Sequence, residues 1–181
     1  MKYHKNILDR LGDANNWPQF HRPDFLQELN DLADDAFRKR TTEGYLASLL
    51  IYHQLCEEMT KLLIECSSFY LQLRIFPHQL KLRDLKGKMF GELIRELGYS
   101  VLDKDIERFI EKCKELNSLR IRMVHKITLK TSIGDISRQC RKAQQLFNSI
   151  LVLFNTIYDD YRVSFSHYNK DIDELKELLE N

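Results

Sequence analysis

The chain has 181 residues, of which 43% are hydrophobic and 30% are charged. This length is typical of one domain and is sufficient to bury a hydrophobic core. The formal net charge is +1, which argues against a protein that binds nucleic acid or anionic membranes through its overall charge. Any phosphate site must therefore come from a local basic cluster.

The whole chain contains only six glycines and three prolines, which leaves little material for hairpin turns. Apolar residues recur at helical spacing, so we predict one all-α domain, an up-and-down bundle of about five main helices. Residues 1–22 are expected to form an irregular lead-in and residues 23–166 the bundle. Residues 167–181 are expected to form a short C-terminal amphipathic helix.

The first two bundle helices are predicted at about 24–38 and 43–73. The first has an apolar inner face formed by Phe25, Leu29, Leu32, Ala33 and Phe37. The second follows Thr41 and Thr42, which are plausible capping residues, and ends before Pro77. Its inner face contains Leu46, Leu49, Leu50, Cys56 and Ile64. His53 and Glu57 share that face, and His53 is predicted to be a core histidine, with a place in the site as the alternative.

Three further helices are predicted at about 82–98, 103–124 and 133–161, the first of them closed by Gly98 as a C′ residue. The last has apolar residues in alternating steps of four and three, a spacing typical of coiled-coil-like packing. These residues are Ile136, Cys140, Ala143, Phe147, Ile150, Phe154, Ile157 and Tyr161. We interpret them as a core packing face, with a dimer interface as the alternative.

The compartment predicted from the sequence is the cytosol. The N-terminal residues lack an uninterrupted apolar segment typical of a signal peptide, and no apolar run approaches the length of a membrane span. The four cysteines form no CxxC pair and have no histidine at ligand spacing, which favours core positions over disulfides or metal ligation. They are Cys56, Cys66, Cys113 and Cys140. No metal site and no cofactor are predicted, because no metal-ligand motif and no glycine-rich phosphate loop is present.

Two polar residues interrupt the apolar face of the helix at 103–124. At about 100° per residue, Asn117 and Arg120 lie on the same face as Ile106, Phe109, Ile110, Cys113, Leu116 and Val124. An arginine is costly to bury unless an anionic group meets it. Glu57, on the inner face of an earlier helix, is the best candidate. The two residues either form a buried ion pair or jointly serve a ligand, and the sequence favours neither interpretation.

His125 follows Arg120 by five residues, which places the two side chains about 140° apart on a straight helix. They are expected to converge only if the helix bends or ends near Val124, or if a second protomer completes the site. The alternative role for His125 is a favourable contact with the helix dipole.

The segment Leu116–His125, LNSLRIRMVH, resembles the RxxxxH signature of the HEPN superfamily, the higher eukaryotes and prokaryotes nucleotide-binding domains. Residues 57–61, EEMTK, are similar to the acidic-x3-Lys element that often accompanies it, and residues 90–94, FGELI, also resemble sequences of these domains. The resemblance spans about 45–161. One departure is Ile121, which occupies a position where many members carry a polar residue.

The resemblance implies a dimeric helical bundle that cleaves RNA without a metal, by attack of a 2′-hydroxyl on the adjacent phosphate. His125 would act as general acid and base, since histidine titrates near neutral pH. Arg120 would stabilise the charged transition state. Asn117 would orient Arg120 or donate to a phosphate oxygen, Glu57 would hold Arg120, and Lys61 would lie one turn from Glu57.

Arg122, Lys126 and Lys130 would form a basic rim for the RNA backbone, although a solvated helix end is the default interpretation. The implied partners are RNA or a nucleotide, a second copy of the chain, and an antitoxin or regulatory protein. Many members act as toxins or in phage defence. Two other functions stay open: a catalytically inactive HEPN-like regulator that binds a nucleotide or a protein, and a helical interaction module.

Overall fold

The computed structural model describes residues 2–81, 84–100, 103–125 and 132–177. Within these ranges it contains seven α-helices, one short 3-10 turn (Ala14–Asn16) and no strand, which confirms the predicted all-α class. The helices are α1 (Lys2–Gly12), α2 (Pro23–Arg38), α3 (Thr42–Arg74), α4 (Phe90–Leu97), α5 (Lys104–His125), α6 (Ile133–Lys170) and α7 (Ile172–Glu177).

The long helix α3 is the central element of the fold, and it packs against α2, α4, α5 and α6. It begins after Thr41, whose side chain accepts a hydrogen bond from the Gly44 backbone N–H at 3.1 Å. This confirms Thr41 as the predicted cap, which satisfies one of the free N–H groups at the helix start. The ends of α3 agree with the sequence prediction to within a residue or so.

The predicted apolar face of α2 is confirmed for Leu29, Ala33 and Phe37, which pack against the core, and is wrong for Phe25 and Leu32. Ala33 and Ala36 are buried, whereas Phe25 is 44% exposed and Leu32 is 55% exposed. A Cβ atom added at Gly44 would lie 2.2 Å from the carbonyl oxygen of Ala36. The two backbones therefore approach closely at this glycine. Leu50 of α3, also predicted to face inward, is exposed as well.

Helix α4 is shorter than predicted, because it begins at Phe90 instead of near residue 82. Leu82 lies outside the described residues. Gly98 closes the helix as predicted, but as its C-cap residue with φ −65° and not as the C′ residue one position further on. Helix α5 extends to His125, and Val124, predicted to be part of its inner face, is exposed.

Helix α6 confirms the predicted core packing face, because all eight apolar residues of that pattern are buried. It packs mainly against α3 and α5. It is longer than predicted, since Phe165 continues the buried face beyond Tyr161 and the helix ends at Lys170. Residues 167–170 therefore belong to α6, and the separate C-terminal helix is limited to α7 in the described part of the chain.

The expectation of an irregular segment over residues 1–22 is wrong for its first half, where α1 forms. Leu8 and Leu11 are buried, and the guanidinium of Arg10 contacts the Glu65 carboxylate of α3 at 3.1 Å. The same guanidinium lies over the Phe69 ring, 4.7 Å from its centroid. These contacts attach a mostly polar helix to the bundle.

Trp17 fixes the segment after α1 against α6. Its indole Nε1 donates a hydrogen bond to the Leu11 carbonyl at 2.9 Å. The ring is buried, with its centroid 5.7 Å from that of Phe165 in an edge-on arrangement. The Arg162 guanidinium lies 5.0 Å from the Trp17 ring centroid. Trp17 therefore connects the end of α1 to two turns of α6.

All four cysteines are free and buried, in agreement with their prediction as core residues. Among the helices that the structure describes, none combines the length and the apolar character needed to cross a membrane.

Candidate functional site

The predicted site residues of α3 and α5 line one open groove of about 810 Å³. Its walls are α3, the second half of α5, and the first turns of α4 with the residues just before them. The lining side chains are His53, Gln54, Glu57, Lys88, Met89, Phe90, Gly91, Glu92, Arg95, Asn117, Arg120, Ile121 and His125. The chain thus brings together segments that are far apart in sequence.

Arg120 and His125 converge within one chain. Arg120 Nη1 lies 3.5 Å from His125 Nε2, the long limit of a hydrogen bond, and α5 is helical through both residues. A second protomer is therefore not needed for them to meet, and within the described residues α5 ends at His125, one residue after Val124. The phase difference applies to the Cα–Cβ directions, and the long arginine side chain closes the gap.

Glu57 does not pair with Arg120 in the described residues, so the buried ion pair, one of the two alternatives, is not formed. The Glu57 carboxylate instead accepts a hydrogen bond from Lys61 Nζ at 2.9 Å, and Lys61 also contacts Glu58 at 2.8 Å. Burial alone would lower the pKa of Lys61, but its hydrogen bonds to Glu58 and Glu57 raise it. Lys61 lies one turn from Glu57, as predicted, yet it does not line the groove.

Arg120 keeps hydrogen-bonding capacity that the described residues leave unused. Its side chain is half-buried, and its Nε is a buried donor with no hydrogen-bond partner in the part of the chain that the structure describes. A buried donor without an acceptor costs about 1–3 kcal/mol.

His53 is buried, as predicted for a core histidine, but it also belongs to the groove. It is 8% exposed, and its Nε2 lies 3.0 Å from Asn117 Oδ1. The Phe90 ring packs edge-on against it, with ring centroids 4.8 Å apart. Burial lowers the pKa of His53, and the positive charge of Arg120 lowers it further. The Asn117 hydrogen bond and the Glu57 charge oppose these effects.

Asn117 lies between His53 and the start of α4. A Cβ added at Gly91 would be 3.3 Å from Asn117 Nδ2, so the amide lies close to the bare Cα of that glycine. Asn117 is one turn before Arg120 on α5, but in the described residues the two side chains share no hydrogen bond. The predicted role of Asn117 in orienting Arg120 has no contact to support it. Its other predicted role, donation to a phosphate oxygen, stays a prediction.

The basic rim of the groove differs from the one predicted. Arg122 is exposed and does not line the groove, and Lys126 and Lys130 lie outside the described residues. Lys88 and Arg95 supply groove-lining cations that sequence reasoning missed, although they flank the FGELI segment that it had singled out. Lys88 is paired with Glu96 at 2.7 Å.

Carboxylates and histidines are not clustered for metal binding in the described ranges, where no group of three or more His, Cys, Asp or Glu side chains could hold an ion. Glu92 has a local structural partner, because its Oε2 accepts a hydrogen bond from the Met89 backbone N–H at 2.9 Å. Two imidazoles and two guanidiniums therefore carry most of the chemistry that the groove offers, namely proton transfer and anion binding.

No protein-family model, curated protein or solved structure matches this chain. The resemblance to the HEPN superfamily consequently rests on the residues of α3, α4 and α5 quoted above.

Proposed function

We propose that this protein is a metal-independent RNA endonuclease of the HEPN type, with its active site in the groove between α3, α4 and α5. One observation carries the proposal. Arg120 Nη1 and His125 Nε2 lie 3.5 Å apart at the groove, where a single phosphodiester can contact both side chains. A cationic fork beside a proton-transfer group is the arrangement that RNA transesterification needs.

In the proposed reaction, the 2′-oxygen attacks the adjacent phosphorus and the bond from phosphorus to the 5′-oxygen breaks. The 2′-hydroxyl loses its proton and the departing 5′-oxygen gains one, giving a 2′,3′-cyclic phosphate and a 5′-hydroxyl. His125 serves this proton transfer, since its exposed ring is accessible to both substrate and water. Arg120 holds the non-bridging oxygens, where negative charge develops, through the guanidinium that lines the groove.

The charges around the groove favour an anionic substrate. Glu57 is paired with Lys61, which it shares with Glu58, and Glu92 accepts a hydrogen bond from the Met89 N–H. The groove lining holds three cations, Lys88, Arg95 and Arg120, against the two carboxylates of Glu57 and Glu92. The lining residues therefore carry one more positive than negative charge, with the histidines counted as neutral.

The proposal includes a homodimer in which the α5 helices of two copies face each other. Ile121 and Val124 are exposed on α5 beside Arg120 and His125. Two apolar side chains next to a polar groove suit a self-complementary contact about a two-fold axis. An antitoxin or regulatory protein is the further partner that this function implies.

The experiment is a cleavage assay on single-stranded RNA with EDTA present, comparing wild type with Arg120→Ala and His125→Ala. We expect each variant to lose at least about 100-fold in rate, the usual effect of removing a general acid–base or charge-stabilising group. Arg108→Ala is the matched control for Arg120, since Arg108 lies on α5 and pairs with Asp105 away from the groove. Exposed His167 of α6 is the control for His125. Equal cleavage by all five proteins would contradict the proposal.

A second candidate function is a catalytically inactive HEPN-like protein that binds a nucleotide. Ile121 favours it, because this apolar side chain is 40% exposed and lines the groove where many HEPN members carry a polar residue. Nucleotide binding that is lost in Arg120→Ala, with no RNA cleavage by wild type, would select this function.

A further inference from the structure

The hydrogen bond between His53 and Asn117 fixes the direction of an amide inside the groove. Asn117 Oδ1 only accepts hydrogen bonds, so the bond of 3.0 Å requires the proton to be on His53 Nε2. The amide Nδ2 must then point away from His53. The imidazole has little freedom itself, because it is 8% exposed and is held edge-on by the Phe90 ring.

Asn117 Nδ2 is left as a donor without a protein acceptor in the described residues. It lies beside Gly91, where a Cβ would come within 3.3 Å, and glycine therefore leaves the space around the amide open. Asn117 and Arg120 are one helical turn apart and line the same groove. An oxyanion held by Arg120 is thus within reach of a second, neutral donor from the same helix.

We propose that His53 is a positioning residue, which holds the Asn117 amide so that Nδ2 donates to a phosphodiester oxygen bound by Arg120. The inference rests on the proposed function, because it assigns Asn117 a substrate that the nuclease would bind. It adds a third contact to the phosphate and gives a functional reason for a buried histidine. His53 acts only through Asn117 and does not touch the substrate.

Three variants separate positioning from simple packing. His53→Leu removes the donor, while His53→Gln retains an N–H near the position of Nε2. Tyr52→Phe is the matched control: it removes the buried hydrogen bond from the adjacent residue of α3 to Asp34 (2.6 Å), outside the groove. Each variant is first tested for folding by circular dichroism and thermal unfolding.

For RNA cleavage, we expect His53→Leu to lower kcat by about 10- to 100-fold, as misplacement of a transition-state contact does. Its KM should change less, about threefold at most, because the contact strengthens as charge develops on the oxygen. His53→Gln should recover most of the rate. Tyr52→Phe should lose stability without losing kcat. Equal kcat in wild type and His53→Leu, or no recovery in His53→Gln, would overturn the inference.

A binding measurement distinguishes failure of the positioning role of His53 from failure of the proposed nuclease function. The probe is a fluorescent 2′-O-methyl RNA oligonucleotide, which has no free 2′-hydroxyl and is not cleaved. Wild-type cleavage that His53→Leu retains in full overturns the positioning role and leaves the nuclease intact. Wild-type binding without cleavage overturns the nuclease, and weaker probe binding by His53→Leu than by Tyr52→Phe then supports the Asn117 contact. No binding and no cleavage by wild type overturns both.

Discussion

Burial has more influence on the pKa of His53 than the hydrogen bond to Asn117 does. The side chain has little access to water, and desolvation disfavours the charged imidazolium. Arg120, on the facing helix, adds repulsion, so the pKa of His53 falls below its ordinary value in spite of Asn117 and Glu57. At neutral pH the ring is therefore uncharged, and its one N–H is used for Asn117.

This lowered pKa makes the stability of the fold depend on pH. The unfolded chain takes up the His53 proton at a higher pH than the folded chain does. The stabilising contribution is thus complete above the ordinary histidine pKa of about 6.5 and is lost as the pH falls toward the folded-state pKa. We expect His53→Gln to unfold with a shallower pH dependence than wild type between pH 7 and pH 5.

The measurement is urea unfolding at several pH values in that window. The slope due to one proton cannot exceed about 1.4 kcal/mol per pH unit. His167→Gln is the control, because that side chain is exposed on α6. Identical slopes for wild type and His53→Gln would show that the burial of His53 does not govern its protonation.

At the scale of elements, the backbones of α2 and α3 lie close together because Gly44 of α3 has no side chain to separate them. A Cβ there would meet the Ala36 carbonyl oxygen at 2.2 Å, and a backbone atom cannot rotate aside. Any larger residue must push the helices apart or distort one of them. Such overpacking usually costs about 1–3 kcal/mol.

We therefore expect Gly44→Ala to lower the free energy of unfolding by about 1–3 kcal/mol, measured by urea denaturation. Gly134→Ala provides the contrast, because a Cβ at Gly134 of α6 has only ordinary contact with Ser132 Oγ at 3.7 Å. Alanine stiffens the unfolded chain and favours helix, so that variant should be neutral or up to about 1 kcal/mol more stable. Equal effects of the two substitutions would contradict the close approach of α2 and α3.

The sequence predicted the elements best where one apolar pattern continued for several turns. Helix α6 is the clearest case, since every residue of its pattern is buried. Helix α1 was missed because, among its residues from Lys5 onward, whose burial is described, Leu8 and Leu11 alone are buried. Phe25 and Leu32 were wrongly predicted to face inward. Helix α3 packs against the side of α2 that carries Ala33 and Ala36, and the sequence of α2 alone does not determine which side is covered.

The candidate site was predicted less completely, since its contacts depend on how α3, α4 and α5 pack. The RxxxxH spacing identified Arg120 and His125, and periodicity marked Asn117 and Glu57 as inward-facing. The sequence pattern did not show that Lys61, one turn away, would form an ion pair with the Glu57 carboxylate. The contact between His53 and Asn117 joins residues 64 positions apart, which no local pattern specifies.

At the scale of the whole molecule, the proposed function includes a homodimer. The exposed Ile121 and Val124 lie beside the groove, and the proposed two-fold contact would bury them. A charge placed in such an interface would be desolvated without a partner. Dimerisation and cleavage should then be lost together.

We expect Val124→Asp to sediment as a monomer under conditions where wild type is a dimer, and to cleave RNA at least about tenfold more slowly. Val152→Asp is the matched control, because Val152 is also exposed but lies on α6, away from the groove. Analytical ultracentrifugation and the cleavage assay provide the two measurements. A wild-type monomer that cleaves RNA would contradict the dimer and leave the Arg120–His125 site unaffected.

Trp17 is the only tryptophan in the chain, and this makes the junction of α1 with α6 directly visible in solution. Excitation at wavelengths that only indole absorbs reports on that junction alone, because every photon comes from the ring enclosed by Phe165 and Arg162. Emission therefore follows the attachment of the N-terminal helix, while circular dichroism follows the helices of the entire bundle. The protein thus carries an intrinsic optical probe that distinguishes detachment of its first helix from melting of its core.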